Sequence, residues 1–122
     1  MKVAIVCGDR NWRDKRLIKE KLIEYRVIKL IEGECRGADK LAKEAAEELG
    51  IEVVPETANW NEFGLGAGPI RNLKMLTHNP ELILAFHDDI AHSKGTKDMV
   101  NKARSKNIQV ILISHLRTVI VE

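Results

Sequence analysis

Four short stretches hold residues that core packing does not require: GDRNW (8–12), GECRGAD (33–39), NWNEFGLGAGPIRN (59–72) and HDDIAHSKGTKD (87–98). Together they supply glycines, arginines, carboxylates and amides. Gly8 lets the chain turn sharply and lets a ligand approach the backbone. Gly37, ahead of Ala38, places free N–H groups at a helix start, where an anion is favoured. Arg10 and Arg36 add planar, fixed positive forks. Gly68 sits with Gly66 and Pro69 ahead of a third helix, with Arg71 and Asn72 in its first turn. An arginine there opposes the helix dipole, which suits a residue that meets an anion. The bland alternative is a bridge from Arg71 to Asp88 or Asp89. Gly95 and Thr96 repeat the theme at a fourth helix, where Thr96 is also a cap candidate. Asp39 either complements a helix dipole or takes a ribose hydroxyl, as Asp88 could. Trp12 and Trp60 either close the core from loops or stack on a ligand. Asp9 and His87 complete the ligand-binding set. His87, Asp88 and Asp89 are adjacent and cannot all point one way, so no metal site is expected.

The elements that must position these loops alternate along the chain. KVAIVC (2–7), RVIKLIE (26–32), IEVVPE (51–56), ELILAF (81–86) and IQVILIS (108–114) read as strands. Helical stripes fall at 14–25, 38–49, 69–77 and 96–106, and Gly50 ends the second of these. Nearly all-apolar strands joined by helices imply a mainly parallel sheet covered on both faces. The expectation is an α/β fold: one Rossmann-like three-layer domain over 1–122, with about five strands in the order 3-2-1-4-5. Ligands in such sheets bind at the carboxyl ends of the strands, near the switch point, and all four unusual stretches follow strand ends. The tail HLRTVIVE (115–122) either adds an edge strand or packs on a partner chain.

Composition narrows the class. With 122 residues, 44% apolar, the chain can bury one core, and a net charge of +2 argues against bulk nucleic-acid binding. Two cysteines, Cys7 and Cys35, are too few for a disulfide framework and read as reduced thiols. No stretch reads as a signal peptide or membrane helix, so a cytoplasmic location is expected, with no membrane partner. No G-x-G-x-x-G or P-loop pattern occurs, and no cofactor is expected.

VCGDRNW, GECRGADKLAKEAA, NW with AGPIRN, AFHDD and KGTKDMVNKA follow one another as in the YspA-like branch of the SLOG superfamily, which this chain resembles from about residue 3 to residue 113. The superfamily takes its name from the Smf/DprA and Lonely Guy proteins. The resemblance implies a Rossmann-like fold and a nucleotide or nucleotide-derived ligand, sensed or sequestered. It also implies a link to phages or mobile elements. Lonely Guy proteins cleave the bond between base and ribose 5′-phosphate, using an arginine at a helix start and the glutamate of a PGGxGTxxE loop. Arg71 matches the arginine, and Gly95 and Thr96 match the GT. The glutamate position falls on Met99 with Asp98 one residue short, and the Pro-Gly-Gly is replaced by a longer polar loop. As an enzyme the chain would be a nucleotide N-glycosidic hydrolase with Asp98 or Asp88 as its catalytic carboxylate. A DprA-like nucleic-acid binder is the third reading. A homo-oligomer is expected, because a small open sheet leaves helix faces free.

Overall fold

The computed structural model describes residues 1–121. Five parallel strands, β1 (Lys2–Gly8), β2 (Val27–Glu32), β3 (Glu52–Pro55), β4 (Leu82–Phe86) and β5 (Gln109–Ile113), are followed by β6 (Thr118–Val121). They form one sheet in the order β3-β2-β1-β4-β5-β6, with β6 antiparallel to β5. The expected 3-2-1-4-5 order is present, and the tail resolves as a sixth, edge strand. A short run rich in β-branched residues, TVIV, favours a strand, and the bend at 114–117 folds it back so that Ile111 pairs Ile120. Glu122 lies outside the described residues.

The helices are α1 (Lys15–Glu24), α2 (Ala38–Glu48), the single turn α3 (Trp60–Phe63), α4 (Ala67–Leu76) and α5 (Lys94–Ser105). Helices α1 and α2 cover one face of the sheet through Ile18, Leu22, Ala42, Ala45 and Ala46, packed on Ala4, Val6, Leu30 and Phe86. The alanines let α2 lie close to the strands. Helices α4 and α5 cover the other face through Met75, Met99, Val100 and Ala103, packed on Ile5, Ile31, Ile83 and Val110. Each large apolar side chain so buried contributes about 1.5–3 kcal/mol.

Two helix starts differ from the sequence reading. Helix α4 begins at Ala67, two residues before Pro69, after α3 and a 3-10 turn at Gly64–Gly66. Arg71 therefore lies in the second turn, away from the free N–H groups. Helix α5 begins at Lys94 and is capped by Ser93, whose hydroxyl accepts the Thr96 N–H at 3.2 Å. Thr96 is the residue served by the cap and is not the cap itself. Because β1 to β5 all run one way, the chain segments leaving their C-terminal ends share one rim. The crevice between β1 and β4 is the switch point.

Candidate functional site

At that crevice lies a cleft of about 350 Å³. Its first wall is the β1–α1 loop. The Asp9 N–H donates to the Phe86 carbonyl at 2.9 Å, which holds the loop to the end of β4. A side chain at Gly8 would put its Cβ 2.2 Å from that carbonyl oxygen and 2.9 Å from the Ala38 Cβ, so only glycine fits. The Asp9 carboxylate accepts the Asn11 N–H at 2.9 Å, and the Asp9 carbonyl accepts the N–H groups of Trp12 and Ala38 at 3.1 Å. This last bond matters for the sequence reading. The leading N–H of α2 is already taken, so the start of α2 is docked on protein.

The second wall is the turn from β2 to α2. Asp39 faces inward, and one of its carboxylate oxygens accepts the N–H groups of Gly33 at 3.2 Å and Cys35 at 3.3 Å. Its other oxygen accepts no hydrogen bond among the described residues, and Asp39 lines the cleft. Burial pushes the Asp39 carboxyl up to about 6, against the pull of the Cys35 N–H, Arg71, the Gly33 N–H and Arg10. Glu32, wholly buried at the end of β2, is pushed up to about 8, chiefly by burial. One Glu32 oxygen accepts the Glu34 N–H and the other has no partner among the described residues. Glu34 takes a φ of +60° in this turn, a strained setting for a residue with a side chain.

The floor comes from α4. Arg71 is buried, and its Nη1 donates to the Gly33 carbonyl at 3.1 Å and to the Cys35 Sγ at 3.0 Å. It forms no bridge to Asp88 or Asp89. Asn72, also buried, donates through Nδ2 to the Gly95 carbonyl at 3.3 Å and to Asp98 at 2.9 Å. Asp98 in turn pairs with Lys102. The third wall is the β4–α5 segment: His87, His92, Ser93, Lys94, Gly95 and Thr96. The His87 Nδ1 accepts the Asp89 N–H at 2.9 Å, so a neutral His87 carries its proton on Nε2. Cys7 closes the bottom, where burial holds its thiol in the protonated form.

The structure thus gathers Gly8, Asp9, Arg10, Arg36, Asp39, Arg71, Asn72, His87, Gly95 and Thr96 of the sequence-derived set around one cleft. It does not bring the others there. Trp12 is buried, with its ring edge-on to Phe86 at 5.7 Å and stacked on His115 at 4.5 Å. Its indole N–H donates to the Asp14 carbonyl at 2.9 Å, so one face and the polar edge are occupied and the buried ring offers no open platform. Gly68 lies beneath Trp60, 3.4 Å from where its Cβ would stand. Gly37 belongs to a neighbouring hollow. Asp98 does not line the cleft and is engaged by Asn72 and Lys102. Asp88 is on the far side of the β1–α1 loop, where it binds His115 at 2.7 Å. The backbone and side-chain donors of His115 hold Asp88 below the usual carboxylate range, and Asp88 and Asp14 raise His115.

Sequence reasoning missed Asn11, Ser93 and Lys94 as cleft residues; His92 stands exposed at the cleft edge. An earlier start for α5 was the available signal: Ser93 three residues before Thr96 is a good cap pattern. Among the described residues no group of three His, Cys, Asp or Glu side chains could hold a metal ion, and no helix is long and apolar enough to cross a membrane.

The model of the YspA, cpYpsA-related SLOG family matches residues 1–63. The Gene 61 protein of Mycobacterium phage D29 is 30% identical over 122 residues, spanning 91% of this chain and 95% of that protein. The chain belongs to the YspA, cpYpsA-related SLOG family. The matched residues carry the first two walls of the cleft, from Gly8 to Asp39; the α4 floor and the α5 wall lie beyond them. Membership in the SLOG family supports a nucleotide-related binding or modifying role, and a phage relative fits a link to mobile elements.

Proposed function

We propose that this SLOG protein binds a nucleotide or nucleotide-derived small molecule in the β1–β4 cleft, as a sensor or sequestering protein. The observation that carries the reading is the pairing of opposite chemistries in one concavity. Arg10, Arg36 and Lys94 stand exposed at its rim, and Asp39 and Asn72 lie buried in its floor. Phosphate suits the cations and the exposed backbone at Gly95, where nothing among the described residues lies within 4 Å of a would-be Cβ. Ribose hydroxyls suit the unoccupied oxygen of Asp39. Hydrolysis of the ligand has less support, because neither Asp98 nor Asp88 faces the cleft.

The test is a thermal-shift screen against nucleotides, cyclic nucleotides, NAD, ADP-ribose and its isomers, with mass spectrometry of each mixture afterwards. A ligand of the folded state raises Tm by mass action. An intact ligand supports sensing or sequestration, and a cleaved one makes the protein an enzyme. Arg36→Ala should weaken binding by about ten-fold or more, since hydrogen bonds to charged groups are worth roughly 1.5–3 kcal/mol. Arg36 is exposed and makes no ion pair among the described residues, so its loss should leave the fold intact. Unchanged affinity in that variant would remove Arg36 from the site.

A further inference from the structure

Beside the cleft, and sharing Arg10, Asn11 and Arg36 with it, runs a second hollow of about 500 Å³. It lies between the starts of α1 and α2. Arg10, Arg13, Arg36 and Lys40 line it over a floor that includes Gly37 and Leu41, and no carboxylate among the described residues lines it. All four cations are exposed. None of them forms an ion pair among the described residues. Lysines elsewhere on the same helices do: Lys15 and Lys19 share Glu48, and Lys43 meets Glu34. Four like charges around one hollow repel one another, and two of them are also badly placed locally. Arg36 precedes α2 and Lys40 stands in its first turn, where a positive charge opposes the helix dipole. The acid of that turn, Asp39, faces away into the cleft floor. The leading N–H of α2 is bonded to Asp9, so the pull on an anion comes from the side chains.

The geometry points to a phosphate-chain subsite. The hollow takes the further phosphates of a nucleotide whose first end occupies the cleft, so the preferred ligand carries two or more phosphates. This rests on the reading of the cleft as a nucleotide site. An anion in the hollow relieves the repulsion and the dipole mismatch together. A bare phosphate chain fits better than single-stranded nucleic acid. Bases along a strand need exposed aromatic platforms, and Trp12, the aromatic residue at this hollow, has its ring committed to Phe86 and His115.

The experiment is isothermal titration of the full chain with mono-, di- and triphosphates of the four common ribonucleosides, with a short single-stranded oligonucleotide alongside. It is repeated on the double variant Arg13→Ala/Lys40→Ala. Neither residue lines the cleft, and circular dichroism checks the fold of the variant. The expected result is a gain of about ten-fold or more from monophosphate to diphosphate. The double variant should lose that gain with monophosphate affinity unchanged. Equal affinity for mono- and diphosphates, or a gain that survives in the double variant, overturns the subsite and leaves the cleft reading standing. Tighter binding of the oligonucleotide than of any di- or triphosphate also overturns it. Absence of binding by every nucleotide overturns the cleft reading, and the subsite with it.

Discussion

Asp39 shows how much one side chain can be asked to do. It ties the turn at Gly33 and Cys35, lies beside Arg71 and keeps an oxygen for the cleft. Its carboxyl titrates at about 6 because burial outweighs the hydrogen bonds and the two arginines. The consequence for stability has a definite sign. An unfolded Asp loses its proton near its ordinary value of 3.8, whereas the folded one holds it to about 6. Between those values the unfolded state binds fewer protons, so stability falls as pH rises. The fall is on the order of 3 kcal/mol, from roughly two pKa units at 1.36 kcal/mol each. Asp39→Asn keeps an acceptor for both N–H groups and cannot ionise. Urea denaturation at about pH 4 and about pH 7 should therefore show the native protein losing stability relative to this variant, most of it by about pH 6. Parallel curves for the two proteins would show that the Asp39 carboxylate is better compensated than its surroundings indicate. Arg71 was visible in the sequence as an unusual residue, but its role was not. The reasoning from the helix dipole assumed a first-turn position, and α4 starts two residues earlier than Pro69 suggests.

At the scale of elements, the close packing of two loops decides the shape of the rim. The β1–α1 loop lies against the start of α2, and Gly37 is the point of contact. Its φ is +77°, and an added Cβ would lie 2.4 Å from the carbonyl oxygens of Asp9 and Arg10. Gly37→Ala must strain the backbone and push those carbonyls away, which should cost on the order of 2 kcal/mol or more. Gly64 has a similar backbone, φ +57° and ψ −135°, but nothing among the described residues lies within 4 Å, so Gly64→Ala should cost the strain of that glycine-favouring conformation alone, on the order of 1–3 kcal/mol, with no clash added. A lower urea midpoint for Gly37→Ala than for Gly64→Ala, at equal slope, is the expected outcome. Equal midpoints would mean that the two loops yield easily. The continuous apolar runs made β1, β2, β4 and β5 legible, and the crossover rule then ordered the sheet. Harder to read were elements whose signals are made at a distance. Trp12 follows a glycine-bearing loop and looks like a ligand platform, yet it is covered by His115 from the far end of the chain. His115 is held there by Asp14 and Asp88, a contact between three loops that no local pattern announces. Helix α3 is a single turn capped by Asn59, too short to leave a periodic signature.

Over the whole molecule, a net charge of +2 conceals an uneven distribution. The body of the protein is laced with compensated pairs, such as Lys2 with Glu81, Lys29 with Glu52 and Lys74 with Glu56. The rim at the C-terminal ends of the strands keeps Arg10, Arg13, Arg36, Lys40 and Lys94 without ion-pair partners among the described residues. The near-neutral total is what argued from sequence against nucleic acid, and composition could not show that five unpaired cations share one rim. A field concentrated at one face guides an anionic ligand toward its site and raises the association rate, and added salt removes that advantage. The Debye length shortens to about 8 Å near 0.15 M ionic strength, so steering fades over an accessible range. Stopped-flow association of the best nucleotide from the screen should therefore slow several-fold, roughly three- to ten-fold, as ionic strength rises from about 20 mM to about 200 mM. In the Arg13→Ala/Lys40→Ala variant the same titration should give a shallower slope, because two of the five unpaired cations named at the rim are gone. A rate independent of salt in the native protein would mean that the rim cations act only after contact. They would then hold the ligand without drawing it in, and their removal would appear in the dissociation rate alone.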